Sequence, residues 1–340
     1  MEILFTSLHH IDRTKSIVEE ITISESNDDL ITYINALFAE ISSNRNRRSF
    51  SFQSETTEVK NSINNFLSGN YEDASLANAN RLLRIETQTQ EEISHLPYEV
   101  QRGSLFQAVI IDETVTKIII TKADHSSILD EVDFKLHSGL PLNKRIFKAF
   151  LYTIDASTRE DTVFVYDTKP VISKYWWSGF LELREKYNDS YNTQHALDSI
   201  DIRILNPIKE RYPADHTILR NSTIRYFRSN EEFDLSRFID ETFSNYEPVD
   251  EGFPRDEIIQ KIIALPEKYN FDTRFRVEKE EIKKRQVYKI EILENVDLVF
   301  KDFGSDMRGI ISPGVEEDGK KFIKIYTEIG YNRFKQPESN

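Results

Sequence analysis

Four runs with strand character stand close together in mid-chain: SLFQAVIID (104–112), TVTKIIITKAD (114–124), RIFKAFLYTID (145–155) and DTVFVYD (161–167). The first two meet at Asp112 and Glu113, a link short enough for a hairpin and far too short for the crossover a parallel return requires. Hairpin connectivity makes an antiparallel sheet the economical arrangement. Whatever else the chain does, it must cover that sheet.

Helices to cover it precede it. In SESNDDLITYINALFAEI, residues Leu30, Ile34, Leu37, Phe38 and Ile41 recur at the three-and-four spacing of an amphipathic helix, and Ser26 and Asp29 have the spacing of a capping box. Two further helices are expected over 57–68 and 74–96, and the alternating runs around 3–5 and 17–23 predict an N-terminal hairpin. After Pro170 the pattern turns helical, in SKYWWSGFLELREKY, DLSRFIDETFSN and PRDEIIQKIIALPEKY, with a polar stretch NDSYNTQHALDSIDI between the first two. Asp234 and Pro254 are start signals for the later helices. The tail returns to strands in VYKIEI, NVDLVFKDF, RGIIS and FIKIYTEI. The expected fold class is α+β, with N-terminal helices packed on an antiparallel sheet, then a helical region and a C-terminal strand-rich segment. The expected domains are 1–170 and 171–340.

Zero cysteines exclude disulfides, thiol catalysis and cysteine-based zinc sites, and suit a reducing compartment. MEILFTSLHHIDRTK lacks the basic start and apolar length of a signal peptide, and no stretch reaches the roughly 20 apolar residues of a membrane span. A cytoplasmic protein without membrane insertion is expected. The net charge is −14, yet residues 271–340 carry 14 Lys plus Arg against 14 Asp plus Glu, so the whole acidic excess lies before them.

Three basic islands interrupt this acidic chain. SNRNRRSFSFQS holds Arg45, Arg47 and Arg48; Lys144, Arg145 and Lys148 precede and enter the third strand; Lys283, Lys284 and Arg285 precede the tail. Arginines among Asn44, Asn46 and Ser49 are the residue types that contact phosphates, and an ordinary solvated connector is the bland alternative. P-loop, G-x-G-x-x-G, G-x-S-x-G and H-E-x-x-H patterns do not occur, and no cofactor is expected. Asp124, His125, Asp130, Glu131, Asp133 and His137 are metal-ligand types without helical pairing, and a solvated loop explains them as well. Asp112, Glu113 and Lys117 are of the types a metal-dependent nuclease uses, although the two acids read more simply as hairpin-turn residues. Tyr175, Trp176, Trp177, Phe180, Leu181 and Leu183 read as core, with one tryptophan left for a dimer contact.

The helix LANANRLLRIETQTQEEISHL, the sheet SLFQAVIIDETVTKIIITKADHSSILDEVDF, LPLNKRIFKAFLYTID and VISKYWWSGFLEL, taken in that order, resemble the bacterial nucleoid-associated protein family often called NdpA-like. The ending IEILENVDLVFKDFGSDMRGIISPGVEEDGKKFIKIYTEI and the opening ILFTSLHHID are similar as well. The resemblance covers most of the chain by element order, not by an invariant signature. It implies a non-enzymatic, homodimeric protein of the nucleoid that binds double-stranded DNA, and on that reading the three basic islands are its phosphate contacts. DTKPVISKYWW departs from the expected glycine- and base-rich stretch, with only Lys169 and Lys174 as bases. Such a departure suits an alternative role as a component of an anti-phage defence complex that senses or blocks foreign DNA with a partner protein. A metal-dependent nuclease stands third.

Overall fold

The computed structural model describes residues 2–24, 26–43, 47–97, 99–129, 134–141, 147–169, 172–283, 288–300 and 310–334. The chain is α+β, built around a large antiparallel sheet. In order it forms β1 (Glu2–Asp12), β2 (Ile17–Glu20), α1 (Asp28–Ser43), β3 (Arg48–Phe52), α2 (Glu58–Leu67), α3 (Tyr71–Glu92), β4 (Gly103–Asp112), β5 (Val115–Asp124), β6 (Ser126–Leu129), β7 (Leu136–Gly139), β8 (Phe147–Asp155) and β9 (Asp161–Asp167). A π-helical turn, Tyr175–Phe180, leads into β10 (Leu183–Glu185) and α4 (Asp189–Ser199). Next come α5 (Pro213–Ser229), β11 (Glu232–Asp234), α6 (Leu235–Ile239), α7 (Arg255–Tyr269), β12 (Arg274–Arg276) and α8 (Lys279–Lys283). Two hairpins, β13 (Tyr288–Leu293) with β14 (Val296–Phe300) and β15 (Ile311–Val315) with β16 (Lys321–Ile325), precede α9 (Glu328–Phe334).

The chain divides into two units. The first holds 1–192, 234–236 and 265–275; the second holds the remainder. Residue 170, the boundary suggested by composition, falls inside the first unit, because the turn at 175–180 contributes Trp176 and Phe180 to that unit's core. Eight strands make its sheet, in the order β10-β3-β9-β8-β5-β4-β1-β2. On one face Leu105, Val109, Ile118, Ile120, Phe150 and Val165 pack against Val59, Ile63 and Phe66 of α2 and Ala79 and Leu82 of α3. On the other face Phe106, Ala108, Ile110, Ile119 and Leu151 meet Tyr33, Ile34, Leu37, Phe38 and Ile41 of α1. Being covered on both sides explains why β4 and β5 read as nearly continuous apolar runs.

Local signals were honoured unevenly. Thr57 caps α2 by accepting from the Lys60 N–H at 3.2 Å. At α1 the cap is Asn27, which accepts from Leu30 N–H at 3.1 Å, while Ser26 bonds Ser24 instead. SKYWWSGFLELREKY is not one helix: the turn stops at Glu182, whose φ of 52° lies in the left-handed region. The side chain holds that conformation in place, since the Glu182 carboxylate accepts from Glu58 N–H at 2.7 Å at the start of α2. The chain then pairs Leu183 with Phe52 as an edge strand. Conversely, NDSYNTQHALDSIDI, too polar to display a helical stripe, contains α4.

In the second unit Tyr226, Phe227, Phe233 and Phe238 pack ring against ring, with Phe227 and Phe233 stacked at 5.0 Å. Buried Asp215 of α5 accepts from Val249 N–H at 2.8 Å, Asp250 N–H at 2.9 Å and the Tyr246 hydroxyl, fastening the 246–250 loop. Burial raises its pKa, but those bonds outweigh it and hold the carboxyl below the ordinary range. Among the described residues no helix is long and apolar enough to cross a membrane.

Candidate nucleic-acid interface

The arginine patch opens β3, and Arg48 turns inward. Its guanidinium lies 3.2 Å from Glu185, 3.0 Å from Asp189 and 3.8 Å from Asp272, with 14% of the side chain exposed. Asp272 also accepts from Ser49 N–H at 2.8 Å and from the Asn192 amide at 2.9 Å, and its own N–H donates to Asn192 Oδ1. Arg48 therefore fastens the first unit instead of projecting to phosphate, because an acidic fold has three carboxylates waiting at this strand. The Arg47 guanidinium carbon lies over Phe164, 3.8 Å from the ring centroid, and its backbone bonds Thr273. Arg45 lies outside the described residues.

Burial pushes Asp272 up to about 6, against the pull of the Ser49 and Asn192 donors and of Arg48. Between about pH 4 and 6 the folded chain holds a proton that the unfolded chain has released, so this group favours folding more as pH falls through that window and less as it rises. About two pKa units correspond to about 3 kcal/mol. The stability of Asp272→Asn relative to the wild type, from urea midpoints, is expected to rise from pH 4 to 6.5; parallel curves would remove this group from the pH response.

Lys148, expected at phosphate, is buried. Across the face under α3, Lys122 is directly opposite Lys148 on the neighbouring strand, and Lys148 opposite Asp167 on the next. Lys122 Nζ is 2.5 Å from Glu86 of α3 and 3.7 Å from Asp124, whose other oxygen is 3.3 Å from Lys148. The row alternates charge, which is what lets two lysines face each other inside a protein. Burial pushes Glu86 and Asp167 above the ordinary carboxylate range, with Lys122 and Lys148 respectively pulling back. Gly103 makes room for the row, since a Cβ there would sit 2.5 Å from Ala123 O and 2.8 Å from Lys122 Cε. Lys144 and Arg145 lie outside the described residues, as do Lys284 and Arg285; Lys283 is exposed and paired with Glu280 at 2.5 Å.

The other candidates also resolve into structure. Asp112 bonds Lys117 at 2.7 Å across the hairpin, and Glu113 occupies its turn at φ 58°. Asp124 belongs to the buried row, and His125 shares a hydrogen bond of 2.8 Å with Ser104 Oγ. Asp130, Glu131 and Asp133 lie outside the described residues, as does the His137 side chain. Among the described residues, no three His, Asp or Glu side chains converge as a metal site would need. Trp176 is fully buried, and Trp177 packs on Phe50 at 5.4 Å.

The β15–β16 hairpin is charge-balanced, with Glu316, Glu317 and Asp318 in its turn against Lys320, Lys321 and Lys324, but its acids are gathered at the turn while Lys321 and Lys324 lie along β16. From 319 to 327, GKKFIKIYT, every residue is exposed, and the stretch holds Lys320, Lys321 and Lys324 with no acid. Lys320 pairs with Asp318 at 2.7 Å, whereas Lys321 and Lys324 make no ion pair with a described residue. The register sets Phe322 opposite Gly314 and Lys324 opposite Ser312, so the two share one face of the ribbon, and Tyr326 stands one residue past β16, its N–H donating to Ile310 O at 2.9 Å. Lys324 Nζ lies 5.2 Å from the Tyr326 ring. Reading FIKIYTEI only as a strand missed this, although its period-two alternation of aromatic and basic residues was the available signal. No protein-family model and no curated protein matches the chain.

Proposed function

We propose that the protein binds double-stranded DNA without cleaving it, through phosphate contacts, as the likeness to nucleoid-associated proteins implies. The observation that carries the reading is the acid-free run at 319–327, whose exposed lysines stand on a chain of net charge −14. Such a body repels a duplex, so contact is confined to the surface where bases are not spent on carboxylates. Arg48 and Lys148 have no part in this proposal; Lys321 and Lys324 replace them, since Lys320 is paired with Asp318. The homodimer implied by the same likeness presents two ribbons to one duplex, and the second engagement gains from effective concentration.

The test is the salt dependence of duplex binding. Each neutralised phosphate adds about 0.9 to the log-affinity against log-salt slope, so replacing Lys321 and Lys324 by Gln is expected to shallow it by up to about 1.8. Affinity should fall alike for unrelated sequences, because backbone contacts position without reading bases. Equal slopes for the wild type and the double variant, with circular dichroism unchanged, would defeat the assignment.

A further inference from the structure

We infer that Phe322 and Lys324 of β16, with Tyr326 just past its end, form a stacking platform for unpaired bases, so that the protein engages single-stranded DNA, at tails or openings beside a duplex. The inference rests on the DNA-binding reading and names a second kind of ligand for the same hairpin.

Three observations carry it. The rings are presented, with Phe322 42% and Tyr326 60% exposed. Gly314 opposite has no side chain, and a Cβ there would lie 2.8 Å or less from the far end of the Phe322 ring, so the ring is laid over the ribbon backbone. Lys324 stands between the two aromatics and, like Lys321, makes no ion pair with a described residue, while the hairpin's acids, Glu316, Glu317 and Asp318, are gathered in its turn. Charge selects the occupant: an aromatic face interleaved with ammonium groups complements a polyanion with exposed π-faces, which is what single-stranded DNA offers. A duplex hides its base faces in the stack and can satisfy only the lysines. At about 3.4 Å per extended residue the backbone positions that carry the two rings are about 14 Å apart. Bases stacked on them are therefore separated along the strand, and the phosphates between them come to Lys324.

The full-length chain should be titrated by fluorescence anisotropy with labelled dT12, a blunt 20-base-pair duplex, and the same duplex with a dT12 tail. The tailed duplex is expected to bind more tightly than the blunt one. Phe322→Ala and Tyr326→Ala should each weaken dT12 about 5-fold or more, and change the blunt duplex less than twofold. Phe322→Tyr and Tyr326→Phe, which keep the π-faces, should bind dT12 as the wild type does. Because the alanine variants can disturb the hairpin, the wild type is also photocrosslinked to dT12 carrying 5-iodouracil, with adducts expected on Phe322 or Tyr326.

Adducts confined to other residues, or equal loss of single-strand and blunt-duplex binding in the alanine variants, would overturn the inference. If dT12 does not bind at low salt while the duplex still binds with a lysine-dependent slope, the platform is refuted and the DNA-binding reading stands. If neither probe binds, both fall. A wild-type dimer that dissociates in the Phe322→Ala/Tyr326→Ala variant, with dT12 unbound throughout, would assign the face to self-association and also overturn the inference.

Discussion

Replacing Asp124 with alanine is expected to destabilise the first unit by about 3–5 kcal/mol. Asp124 sits between Lys122 and Lys148, 3.7 Å from one and 3.3 Å from the other, and those lysines are direct cross-strand neighbours. With the carboxylate gone, two buried ammonium groups face each other; Glu86 is already held by Lys122, and the Asp167 carboxylate already accepts from Lys169 N–H and from Ser173. Removing one partner of a buried pair costs more than the pair itself contributes, because the survivor stays desolvated. The double variant Asp124→Ala/Lys148→Met should therefore regain part of the loss. Urea unfolding followed by circular dichroism measures both, and a double variant no more stable than Asp124→Ala alone would show that the row is not coupled in this way.

Arg48→Ala is expected to cost about 3 kcal/mol, the lower end of the range because Glu185 and Asp189 keep access to water at 35% and 27% exposure. The larger part of the loss comes from Asp272, whose side chain is fully buried and loses the guanidinium 3.8 Å away. Arg48→Lys should not restore it, since one ammonium cannot hold three carboxylates in the fixed geometry of the fork. Thermal unfolding compared among the three proteins decides the matter, and a lysine variant as stable as the wild type would refute the network. The result also guards the DNA experiments: weaker binding by an Arg48 variant reports a loosened fold, not a lost phosphate contact.

The sheet strands and the helices that cover them were legible because a buried sheet must show apolar runs and its helices must show a 3.6-residue stripe. Ile34, Leu37, Phe38 and Ile41 recur at helical spacing in the sequence and are buried. The α4 helix was hidden because its polar residues have internal duties: Asn192 is buried by bonding Asp272, so hydrophobicity carried no trace of it. The stop at Glu182 was equally hidden, since a left-handed glutamate is held by a helix start more than a hundred residues away.

By itself the sequence determined an α+β chain organised on an antiparallel sheet, free of cysteine chemistry, with three basic islands and a neutral tail. Only the tertiary structure decided what those bases do. Charge count along a chain says nothing about which carboxylates come within about 4 Å after folding, and that distance separates an arginine that locks a strand from one that meets solvent. Arg48 and Lys148 were drawn inward by acids remote in sequence, while the modest Lys321, Phe322, Lys324 and Tyr326 were left on a ribbon with nothing acidic paired to their lysines among the described residues.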